Sequence, residues 1–98
     1  MANELTGVLR GDPARRAVLL AGALAEAGVL ELVLTALDGH SRAVLARETD
    51  LPGELLGTKP GRTLANEAIG LRVSLDTDGW RWTARDTATA RALAALSN

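Results

Sequence analysis

The chain has 98 residues, 47% of them hydrophobic, a formal net charge of −1 and no cysteine. That length supports one hydrophobic core and excludes two, the missing thiols exclude disulfides and thiolate metal sites, and the near-neutral charge excludes a polycation that coats nucleic acid indiscriminately. The longest apolar stretch, 17–37, is broken by Glu26 and Glu31 and carries two glycines, which does not suit a membrane span; the first residues lack a signal peptide's basic and apolar regions, so the default expectation is cytoplasmic, with no membrane contact.

In chain order, residues 1–12 read as a short helix or a loose arm, because Leu5, Val8 and Leu9 have helical spacing but Gly7 and Gly11 weaken it. Asp12-Pro13 then starts a helix: a carboxylate can accept from the orphan amides, and proline at the first position loses no bond. The helix is expected from Pro13 to about Ala27, with Gly28 as its left-handed C′ residue. In VLELVLTALDG, Glu31, Thr35 and Asp38 share one stripe and Leu30, Val33, Leu34 and Leu37 the other, which predicts a second helix ending at Gly39, with a strand over Val29 to Leu34 as the competing reading. The segment 13–38 is thus helical and more apolar than one face of a small domain requires. Leu20, Leu24, Leu30, Val33 and Leu37 are its candidate homodimer seam.

Ser41 can cap a third helix from Arg42 to about Thr49, and LARETDLPGELL has the layout of a helix-turn-helix, with small Ala46 at a crossing and Leu45 and Leu51 as anchors. Thr58 can cap a further helix that carries Lys59, Arg62, Asn66 and Glu67 outward and Leu64, Ala65, Ala68 and Ile69 inward, with Pro60 and Gly61 tolerated in its first turn. Beyond Gly70 the period changes to two. Leu71, Val73 and Leu75 alternate with Arg72 and Ser74, and Trp80, Trp82 and Ala84 with Arg81 and Thr83, the pattern of a half-buried hairpin. Asp76-Thr77-Asp78-Gly79 closes it, Gly79 supplying positive φ and an Asp bonding back to the turn amides. Asp86 caps a C-terminal helix over 86–97, with Ala92, Leu93 and Leu96 facing the core. The chain so reads as one mainly α (α+β) domain: a winged helix-turn-helix over 41–84, with an N-terminal helical extension and a C-terminal helix.

Charge is uneven along this layout. Residues 1–58 hold five arginines against eight acids, residues 59–85 five cations against three acids, and 86–98 balance. The helix and wing therefore gather the cations, and Lys59, Arg62, Asn66, Arg72, Arg81, Thr83 and Arg85 are the candidate DNA-binding residues: arginines for phosphates, Asn66 for an adenine edge. The segment 38–96, with Thr58-Lys59-Pro60-Gly61-Arg62-Thr63-Leu64-Ala65, Ile69-Gly70-Leu71-Arg72, Gly79-Trp80-Arg81-Trp82 and Asp86, resembles the winged-helix tail of actinobacterial DNA translocases and phage-type primase-helicases. The resemblance implies a module that binds double-stranded DNA; winged helices also serve as protein-interaction or dimerisation units.

Each feature has a plainer reading. The wing arginines also fit a solvated hairpin face. Trp80 and Trp82 could stack on single strands, but with no Phe or Tyr in the chain they are the natural core aromatics. His40 has neither a second His nor a Cys beside it, so no metal or other cofactor is expected. No nucleophile is paired with a base and no glycine loop can cradle a phosphate, so no catalytic residue is assigned. The preferred function is therefore that of a non-enzymatic duplex-DNA-binding winged-helix module, and the alternative is a winged-helix adaptor that docks a protein partner or dimerises without binding DNA.

Overall fold

The structure, a computed structural model, describes residues 4–29, 31–35, 41–45 and 63–96. The first helix, α1 (Pro13–Glu26), forms as its caps dictate: Asp12 accepts from the Arg15 N–H at 3.1 Å, and Pro13 stands in the first turn. At the other end the Gly28 N–H donates to Ala25 O (3.1 Å) and the Val29 N–H to Leu24 O (3.0 Å), with Gly28 left-handed at φ 82. That pair of bonds is a Schellman motif. Ala17, Leu20, Ala21, Ala23 and Leu24 face inward from this helix.

Around α1 stand six strands, β1 (Leu5–Arg10), β2 (Glu31–Thr35), β3 (Ser41–Leu45), β4 (Thr63–Asn66), β5 (Leu71–Asp76) and β6 (Gly79–Ala84), and a closing helix, α2 (Thr87–Leu96). They form one sheet in the order β1-β6-β5-β4-β2-β3, with every neighbouring pair antiparallel. β1 and β2 consequently run the same way, and α1 is the crossover between them. β1 lies at one edge, held to β6 by the register Leu5↔Ala84 to Arg10↔Gly79.

The strands bury one face. Leu9, Leu64, Leu71, Val73, Trp80, Trp82 and Ala84 are buried there, together with Leu20 and Leu24 of α1 and Ala90 and Leu93 of α2. Trp82 needs the bare backbone of Gly7, its partner across β1 and β6, because a Cβ on Gly7 would come within 2.8 Å of the indole. Trp80 donates its indole N–H to Pro13 O at 2.9 Å, which ties the hairpin to the start of α1. α2 is capped as expected: Asp86 accepts from the Thr89 N–H (3.0 Å) and hydroxyl (2.8 Å), and this satisfies the one buried polar side chain among the described residues.

Several expectations are corrected. The protein is an α+β domain built on an antiparallel sheet, not a mainly α winged helix-turn-helix. Residues 5–10 of the arm are an edge strand. The helical reading of 13–38 holds through α1 only; 31–35 pair as β2, the strand alternative, and the residues 41–45 assigned to a third helix pair with it as β3. The helix expected from Thr58 is, over its described part, β4 followed by a single 3-10 turn, Glu67–Ile69. In each case the strand gains ladder partners on β2 or β5 that no local helix offers, and tertiary pairing overrides local spacing. The core of the helix-turn-helix string, 46–56, lies outside the described residues.

The two tryptophans give a stability test. Truncating Trp82 to Ala should cost on the order of 3–5 kcal/mol. Trp80→Phe should cost about 1 kcal/mol more than Trp82→Phe in urea titrations, because only the Trp80 N–H has a partner while Trp82 Nε1 is buried without one.

Candidate functional site

The hairpin β5–β6 presents two faces because its side chains alternate. With Leu71, Val73, Trp80, Trp82 and Ala84 turned to the core, Arg72, Ser74, Arg81 and Thr83 fall on the other side, and the register sets them in rows: Thr6, Thr83, Arg72 and Ala65 across β1, β6, β5 and β4, then Val8, Arg81, Ser74 and Thr63. Both helices pack on the opposite face, so among the described residues this outer face has no helix over it. Arg72, Ser74, Arg81 and Thr83 thus share one face of the hairpin.

Its charges are matched. Arg72 Nη2 lies 3.2 Å from Glu67 Oε1, and Arg81 Nε 3.2 Å from Asp76 Oδ2. Asp76 also accepts at Oδ1 from the Asp78 N–H (3.2 Å) and the Thr77 hydroxyl (3.1 Å), so the turn forms as the aspartate-rich sequence predicts. Gly79 completes it at φ 139, a conformation and a position where a side chain would run into the Leu9 carbonyl. The Asp78 amide, then the Thr77 hydroxyl and the Arg81 guanidinium, hold the Asp76 carboxyl below its ordinary value; at α2, the Thr89 amide and hydroxyl do the same for Asp86.

At one end of the face Arg72, Thr83 and Arg85 meet Glu4, Glu67 and Gly70 around an open cleft of about 460 Å³. Arg85 Nη2 donates to Glu67 O at 3.3 Å, and the Arg85 and Asp86 amides reach Ile69 O at 3.4 and 3.1 Å. The strand exit is thereby folded over the 3-10 turn. Thr83 donates to the Thr6 hydroxyl at 3.3 Å, which donates to Trp82 O at 2.9 Å. The chemistry on offer is mixed: two guanidiniums, two carboxylates and hydroxyls.

The structure therefore unites Arg72, Arg81, Thr83 and Arg85 on one side of the sheet. Asn66 is not presented on a recognition helix: it ends β4, and its side chain accepts from the Ala68 N–H at 3.1 Å as the cap of the 3-10 turn. Lys59 and Arg62 lie outside the described residues. Of the candidate dimer residues, Leu20 and Leu24 are wholly buried in the chain's own core; Val33 is a β2 register position opposite Ala65, and Leu30 and Leu37 lie outside the described residues. Trp80 and Trp82, at 1% and 3% exposure, are core residues and not a stacking platform. Glu4 and Glu67, which share the cleft, were missed because Glu4 arrives with an edge strand from the far end of the chain and Glu67 carries no sign of which arginine it will meet.

Among the described residues no cluster of three His, Asp or Glu could hold a metal ion, and no helix is long and apolar enough to cross a membrane. No protein-family model, curated protein or solved structure matches the chain.

The lowered carboxyls carry a pH dependence. A carboxyl held down in the folded state stabilises it above the ordinary value, 3.8, and that contribution is lost as pH falls through the lowered one. Thermal melts should accordingly lose stability as pH drops below that value, and Asp76→Asn and Asp86→Asn should each flatten the acid limb of the curve.

Proposed function

We propose that this chain is a non-enzymatic interaction module that docks a protein surface of mixed charge on the outer face of its sheet. The observation that carries the reading is the charge balance of that face among the described residues: Arg10, Arg72, Arg81 and Arg85 stand with Glu4, Glu67 and Asp76, with Asp78 in the adjoining turn, and two of the arginines are already paired within the hairpin and its approach. Breaking such an exposed pair costs a cation little, about 0–1 kcal/mol. The acids remain, however, within a Debye length of about 8 Å, and they oppose a polyanion. A protein surface can answer both signs.

Duplex-DNA binding is the second reading, and the convergence of Arg72, Arg85 and Thr83 on one cleft is what favours it. It would use the sheet face, not a recognition helix.

Fluorescence anisotropy on mixed-sequence duplexes separates the two. The docking reading expects no salt-sensitive binding by the native chain. It also expects Glu67→Gln combined with Asp76→Asn to create some, with log K falling against log salt at a slope of roughly −2 for two released arginines. A native chain that binds with a slope near −3, weakened by Arg72→Ala, would establish the DNA reading instead.

A further inference from the structure

We propose that the solvent face of α1 is a two-fold seam that joins this chain to a second copy of itself. α1 turns Ala17, Leu20, Ala21, Ala23 and Leu24 to the core and leaves Ala14, Val18, Leu19, Gly22 and Ala25 exposed. Val18 at 54% and Leu19 at 44% are, with Leu5, the exposed large hydrophobics among the described residues. At 3.6 residues per turn these positions fall on one arc with Gly22 near its middle. An added Cβ at Gly22 would meet nothing within 4 Å, so the arc has a shallow notch at its centre where another helix can approach closely.

The charges on the arc select the occupant. Arg15 stands near its N-terminal end and Glu26 at its C-terminal end, about three turns apart, and neither is in an ion pair among the described residues, which are Arg72–Glu67 and Arg81–Asp76. Two copies of α1 that cross antiparallel about an axis midway between Leu19 and Gly22 bring each Leu19 onto the other copy's Gly22 and each Arg15 onto the other copy's Glu26. One register satisfies the notch and both charges, as a self-complementary interface must. A parallel pair would oppose Arg15 to Arg15, and a uniformly charged partner would satisfy one end only. This seam is distinct from the buried Leu20 and Leu24 and from the outer face of the sheet.

A seam made by one 14-residue helix is small, below about 1,200 Å² in total, which places the dissociation constant in the micromolar range. Analytical ultracentrifugation of the full chain from about 5 to about 500 μM should therefore show a monomer–dimer equilibrium. Gly22→Gln should weaken association at least roughly tenfold while raising the thermal midpoint, since glutamine is the better helix former at an exposed site. Arg15→Glu and Glu26→Arg should each weaken self-association by about tenfold, and an equimolar mixture of these two single variants should recover it, because every cross-chain pair is then complementary. A chain that stays monomeric throughout overturns the proposal. So does association that survives Gly22→Gln, and so does a mixture that fails to recover.

Discussion

The rest of the structure depends on the seating of Trp80. With no Phe, Tyr or Cys in 98 residues, the domain has two aromatic side chains to fill the space between a sheet and its helices, and Trp80 is the largest of its fully buried residues. It sits in β6 between Leu9 of β1 and Leu75 of β5, and its N–H is bonded to Pro13 O at 2.9 Å. An edge strand, a central hairpin and the first turn of α1 are therefore fixed by one side chain. Trp82, a row further on, repeats the arrangement against Gly7. The alternation that buries both indoles also determines what remains outside, since a one-residue shift in register would put the tryptophans in water and the arginines in the core.

That coupling links the core to the outer face of the sheet. Arg72, Arg81 and Thr83 are outward because Leu71, Val73, Trp80 and Trp82 are inward. The turn that joins the strands supplies Asp76 to Arg81, and the approach to them supplies Glu67 to Arg72. A hairpin that looks basic when its residues are counted along the chain becomes a balanced surface when its neighbours are counted in space, and this balance supports docking to protein over attraction to a polyanion.

Legibility in the sequence followed the range of the interactions. The caps of α1 and α2, the Schellman end at Gly28, and the hairpin with its turn chemistry are made by residues within a few positions of one another, and each could be read directly. The strands β2 and β4 could not. Glu31 and Thr35 are four apart, a spacing that suits a helical stripe and also one side of a strand, and apolar Val33 between them hides the alternation. Leu64, Ala65, Ala68 and Ile69 likewise have helical spacing, yet Leu64 alone is deeply buried, and the segment is held by Val73 on one side and Leu34 on the other. β1 pairs with β6 across nearly the whole chain, a contact for which no local pattern exists. The cleft was half legible for the same reason: its arginines lie in the hairpin that could be read, while Glu4 arrives with the edge strand and Glu67 with the 3-10 turn.

β4 stands as a strand between β2 and β5, which places the hairpin within a six-stranded sheet instead of at the end of a helix. Backbone NMR tests this placement most directly. Strand-type carbon shifts over Thr63–Asn66 and Glu31–Thr35, with cross-strand contacts from Leu64 to both Val73 and Leu34, are the predicted result. Helical shifts through 31–35 or 63–66, with no contact between Leu64 and Leu34, would contradict it.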